Sequence, residues 1–177
     1  MTRLTPILDR EALPEANRRA YDYINETRGR VSPAMGVLLH SPDVAERIVH
    51  VGSYVRFDSA LPVRVREIAA LAASSELYNL FEQAAHTPAA LQAGASEKSV
   101  QTIKERGPLE NIDAEDQLPV RATREIFRGH DLPQSTFDEA RAAYGDQGVI
   151  DLFSTIGYYG MLACLHKALD VEPPPLA

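Results

Sequence analysis

Almost every stretch of this chain carries the same punctuation: a residue that opens a helix, an apolar run at helical spacing, and a residue that stops it. Pro14 stands where a first-turn proline belongs, and Glu15 to Glu26 reads as a polar-faced helix ended by Gly29. Ser41-Pro42-Asp43 combines an N-cap, a first-position proline and a first-turn acid, and Val44 to Val55 continues at helical spacing. Pro62 opens VRVREIAALAA, in which Val65, Ile68, Ala69 and Ala72 form an apolar stripe. Ser74-Ser75-Glu76 interrupts that stripe and offers a new N-cap for a helix from Leu77 to Ala93, which Gly94 ends. Ser96 caps a short helix to about Arg106, Gly107 to Pro119 reads as a loop or short turn, and Val120 to Phe127 as another helix. Ser135 begins the next, with Asp138 in a capping-box position and Gly145 past its end. Gly148 to Asp170 is the last and most apolar helix. Period-two alternation is essentially absent, so the expected fold class is all-α.

At 177 residues the chain is most simply a single domain over residues 1–177. A net charge of −7 without a basic cluster argues against a nucleic-acid partner and gives no attraction for anionic lipid. The single cysteine, Cys164, excludes an internal disulfide and a multi-cysteine metal site, and fits a reducing cytoplasm. The charged N-terminus, with Pro6 and Pro14, does not read as a signal peptide. Gly148 to Leu165 contains Asp151 and several small polar residues, and reads as a buried helix and not a membrane span. Low complexity is confined to Pro173-Pro174-Pro175.

The residues able to carry chemistry are Glu67, Glu82 and His86. Glu82 and His86 are four apart and share a helix face. Glu67 belongs to the preceding helix. One straight helix would hold Glu67 and Glu82 about 22 Å apart. An antiparallel hairpin turning at Ser74-Ser75 would bring both carboxylates to one level, roughly 10 Å from the turn. In the hairpin, two carboxylates hold the imidazole in one tautomer and raise its proton affinity, the setting of a general acid–base. Pro88 removes a backbone donor to the Ala84 carbonyl. Spacing alone equally describes an exposed Glu–His pair, contributing about 0.2–0.5 kcal/mol.

Other candidates are weaker. His40 and His50 have pocket-lining or structural readings, His130 reads as a loop residue, and His166 as a complement to a helix C-terminus. Cys164 reads as an inert buried thiol. Tyr158-Tyr159 lies between Gly157 and Gly160, which suit either a cavity or close helix packing. No zinc-type histidine spacing, P-loop, GxGxxG or GxSxG is present, so no metal or cofactor is expected.

The stretch RVREIAALAASSELYNLFEQAAHTPAALQAGASEKSV, from Arg64 to Val100, resembles the carboxymuconolactone decarboxylase family, which includes the AhpD-type alkylhydroperoxidases. Arg66-Glu67 opening a helix, Phe81-Glu82, His86 four residues on, and A-x-x-x-G carry the likeness. Leu38 to Pro62 and Gly145 to Pro174 extend it. The resemblance implies an AhpD-like bundle of about six to eight helices, assembled as a homotrimer or homohexamer. The family's peroxidase branch carries C-x-x-C-x-x-x-H. Set by the histidine, its cysteine positions fall on Asn79 and Glu82. The resemblance therefore implies the decarboxylase-like branch, a cofactor-independent acid–base lyase acting on a small carboxylated lactone or related aromatic-catabolism intermediate. His86, Glu82 and Glu67 would be catalytic, with Arg66, Arg56 and Tyr159 binding substrate. The alternatives are a non-catalytic oligomeric small-ligand binder, or a redox protein using Cys164.

Overall fold

The computed structural model describes residues 2–173, so Pro174 and Pro175 of the closing proline run lie outside the described residues. Among these residues every regular element is helical, as expected: α1 (Arg18–Arg28), α2 (Pro33–Gly36), α3 (Pro42–Ser53), α4 (Val63–Glu76), α5 (Leu80–Gln92), α6 (Glu97–Lys104), α7 (Ala114–Arg124) and α8 (Gln134–Leu169). Wider π-type turns, Tyr54–Asp58 and Glu125–Gly129, extend α3 and α7. The described residues form two compact units, residues 2–58 with 165–172, and residues 59–164 with 173.

In the first unit α1 packs on α3, and the Tyr23 ring stacks on His50 with centroids 3.9 Å apart. His40 contacts the Thr5 carbonyl at 2.9 Å through Nε2, so both histidines have structural partners here. Gly36 meets the N-terminal strap, where Ile7 N–H donates to its carbonyl; a Cβ there would lie 2.9 Å from the Ile7 oxygen. Glu15–Asn17 is a 3₁₀ turn instead of the first α-helical turn, and Gly29, at φ 73°, ends α1.

The second unit is organised around α4. From Ile68 to Ser75 every α4 residue is buried, so this helix is apolar nearly all round. Val65 and Ala69 join Leu118, Ala122, Leu152 and Ile156 in one cluster, while Ile68, Leu71 and Ala72 join Ala90, Val100, Ile103 and Val120 in another. Alanines at 69, 70, 72 and 73 let neighbouring helices approach closely.

The helix break comes later than Ser74-Ser75. Both serines are buried inside α4, and Ser74 Oγ donates to the Ala70 carbonyl at 2.7 Å, which satisfies it without ending the helix. The stop is a Schellman turn: Tyr78 adopts φ 55°, its N–H donates to Ser75, and Asn79 N–H donates to Ser74. Asn79 then caps α5, accepting from Glu82 N–H.

The expected loop from Gly107 to Pro119 is also corrected: α7 begins at Ala114 and contains Pro119. Arg64 on α4 grips the start of α7, reaching Asp116 at 2.7 and 2.9 Å, and that tertiary pairing overrides the proline. Gly145, at φ 71° and ψ 178°, divides α8 where a helix end is expected. Gln134–Leu169 has the length and composition of a membrane span, yet Leu152 and Ile156 belong to the core. The polar interruption at Asp151 has a packing reason: buried, it accepts from Ala60 N–H at 2.8 Å and Ser59 Oγ at 3.0 Å.

Candidate active site

The α4–α5 hairpin turns around residues 77–78, which sets the pairing register. With Asn79 N–H bonded to the Ser74 carbonyl, the antiparallel partner of Glu67 is His86, two turns further on. His86 Nδ1 lies 2.6 Å from Glu67 Oε2. Its other nitrogen, Nε2, lies 3.5 Å from Glu82 Oε2, one helical turn back on α5. Each ring nitrogen therefore faces a different carboxylate. The Tyr159 ring, from α8, stands edge-on to the imidazole at 4.6 Å between centroids and 80° between planes.

This cluster is interior: His86 is 2 % exposed, Glu82 6 % and Tyr159 2 %. Burial disfavours the charged imidazole, but hydrogen bonding and charge from Glu67 and Glu82 outweigh it and raise the His86 pKa above the ordinary 6.5. The Nδ1–H donated to Glu67 fixes the tautomer and ring orientation, and leaves Nε2 as the position for proton exchange. A surface ion pair cannot do this, because solvent screens both partners.

Four of the six residues expected at the site thus meet: Glu67, Glu82, His86 and Tyr159. Arg66 precedes Glu67 on α4, about 100° around the helix from it. Arg56 belongs to the first unit, where its guanidinium lies 5.1 Å from the Phe57 ring centroid. Cys164 is exposed, which corrects the expectation of a buried thiol; the end of α8 turns this position outward despite its apolar neighbours. Tyr158 and Tyr159 are both buried, and Gly160 packs against the Phe127 ring, where a Cβ would meet Cζ at 3.1 Å. The chemistry-bearing group that the sequence reading passed over is an arginine cluster on α7. Its signal was present as Arg121, Arg124 and Arg128, spaced three and four apart on one helix face.

Known proteins resemble this chain in one sequence segment and in the fold. The family model of the carboxymuconolactone decarboxylase family matches residues 42–116, which include Glu67, Glu82 and His86. No curated protein is significantly similar in sequence. Among solved structures, a peroxidase-related protein from Silicibacter sp. TM1040 superposes with a TM-score of 0.76 at 16% identity, covering 98% of this chain and 92% of that one. An AhpD-core, peroxidase-related protein from Ralstonia eutropha JMP134 gives 0.77 at 16% identity, over 98% and 93%. The debrominase Bmp8 gives 0.70 at 15% identity, over 97% and 91%. At these identities the neighbours establish a shared fold. Residues 42–116 thus match the carboxymuconolactone decarboxylase family, and the chain as a whole shares the fold of AhpD-like, peroxidase-related proteins.

Proposed function

We propose that the protein is a cofactor-independent acid–base lyase that decarboxylates a small carboxylated lactone or a related ring compound. The observation that carries this reading is the buried imidazole held on both nitrogens by carboxylates, 2.6 Å from Glu67 and 3.5 Å from Glu82. Loss of CO₂ from a vinylogous lactone acid leaves a dienolate that must be protonated. His86 delivers that proton from Nε2; Glu67 holds the ring and supports its positive charge, and Glu82 relays the replacement proton. Such proton transfer contributes typically 10²–10⁴-fold in rate. With an imidazolium and two carboxylates the cluster carries net negative charge, so a substrate carboxylate needs a cation from elsewhere; Arg66 is assigned that role. Tyr159 bounds the ring-binding side of the imidazole.

The superfamily includes enzymes, and a cysteine-to-alanine variant of the Bmp8 neighbour has been captured in complex with 2,3,4-tribromopyrrole, which supports a small ring ligand for this fold. Here Asn79 and Glu82 stand at the cysteine positions of the peroxidase motif, and Asn79 serves as a helix cap. A dithiol relay therefore has no sulfur to run on, because Cys164 is the chain's single cysteine. The proposal includes a cytoplasmic homotrimer or homohexamer whose partner is a small molecule.

The test is CO₂ release from a panel of carboxylated lactones. His86→Ala is expected to lower kcat by about 10²-fold or more and to abolish the bell-shaped pH–rate profile. Turnover within a few-fold of the parent in His86→Ala, with a confirmed substrate, overturns the assignment.

A further inference from the structure

A cleft of about 580 Å³ opens between the end of α6 and the far end of α7, lined by Arg106, Arg121, Arg124 and Arg128 against two glutamates, Glu110 and Glu125. It lies outside the His86 cluster, with which it shares no residue. The π-type turn Glu125–Gly129 widens this end of α7, a distortion frequent at functional sites. Arg124 and Arg128 converge on one carboxylate, that of Glu76 at the end of α4, whose side chain is 5 % exposed. Arg128 holds it at 2.7 and 2.6 Å through Nε and Nη2, whereas Arg124 reaches it only through Nε at 3.1 Å. One carboxylate thus serves two guanidinium groups.

Arg124 is 7 % exposed, and its Nη2 is buried with no hydrogen-bond partner. Burial above all, and then repulsion from Arg128, hold its pKa below the ordinary arginine value despite Glu76. The next residue has the opposite need: Glu125 Oε1 accepts from Thr136 Oγ1 at 3.1 Å, while Oε2 is buried without a donor. A buried guanidinium edge lacking an acceptor and a buried carboxylate oxygen lacking a donor each cost free energy until paired. Both belong to residues that line the same cleft. Arg121 is engaged by Glu139, and Arg106 lies over the Tyr78 ring at 3.7 Å, so the walls are themselves held in place.

An inorganic oxyanion would satisfy Arg124 and be repelled by Glu125; a plain cation would meet the reverse. We propose that the cleft binds a small organic acid bearing a hydroxyl or ammonium donor beside its carboxylate. The carboxylate pairs with Arg124 Nη2, and the neighbouring donor bonds Glu125 Oε2. The site is separate from the His86 chemistry and stands whether or not that chemistry is a decarboxylation.

Titration calorimetry on the full chain with malate, aspartate, succinate and inorganic phosphate tests this. Malate or aspartate is expected to bind about ten-fold or more tightly than succinate, which lacks the donor; which of the two binds tells hydroxyl from ammonium. Glu125→Gln, which keeps an oxygen for Thr136, is expected to erase the preference over succinate. Arg124→Lys is expected to weaken every acid by about ten-fold, with thermal melting to verify that it folds. His86→Ala is expected to leave binding unchanged. No binding by the parent protein would mean that water alone fills the cleft, and overturns the proposal. So do phosphate binding best, equal affinity for succinate, loss in His86→Ala, or indifference to Glu125→Gln.

Discussion

His86 binds its proton more tightly than a free imidazole in a place where burial alone would loosen it. The two carboxylates reverse that tendency, and the sign of the effect sets a pH dependence. Its folded-state pKa is raised above the unfolded value near 6.5. The protonated imidazole therefore contributes its full stabilisation below about pH 6.5, and this is lost as pH rises through the folded pKa. Urea denaturation of the parent and of His86→Gln across that window is expected to show a steeper decline for the parent. Parallel curves would contradict the charge-clamped imidazole. A proton NMR titration is expected to place the His86 midpoint above 6.5. At this scale the Glu82–His86 pair was legible, because a spacing of four is a local property of any helix. Burial was not, since an exposed pair has the same spacing.

Among the elements, the α4–α5 hairpin decides that Glu67 meets His86. A hairpin was expected, but with its break at Ser74-Ser75, which would have set Glu67 level with Glu82. The serines remain helical because Ser74 returns its hydroxyl to the Ala70 carbonyl within a buried helix, and the turn falls instead on Tyr78 at φ 55°. A non-glycine residue in the left-handed region is not readable from local preference. The same holds for α7, whose start is held by Arg64 across 52 residues of chain to Asp116 in spite of Pro119. Gly145 was legible, since its neighbours read as helix on both sides. Its φ of 71° and ψ of 178° lie in a region essentially reserved for glycine. Gly145→Ala is expected to destabilise the protein by about 1–3 kcal/mol in chemical denaturation. A change within a few tenths would show that α8 tolerates a continuous helix there.

For the molecule as a whole, the expected assembly rests on the likeness of residues 42–116 to the family. Val63, Tyr78, Leu80 and Ile150 expose 55 %, 61 %, 59 % and 67 % of their surface, more apolar side chain than their unit covers by itself. Native mass spectrometry is expected to find a homotrimer or homohexamer, and a monomer at micromolar concentration would contradict that expectation. Signals local to the chain settle the all-helical class, the helix starts at Pro42 and Ser96, the stops at Gly29, Gly94 and Gly145, and the family-like segment around Glu82 and His86. These follow from caps, prolines, glycines and periodicity, which act within a few residues of chain. Which carboxylate reaches which imidazole nitrogen, that Cys164 faces outward, and that Arg124 and Arg128 share Glu76 are settled by the packed helices alone. Those outcomes depend on burial and on contacts between residues far apart in sequence, where packing and desolvation outweigh local preference.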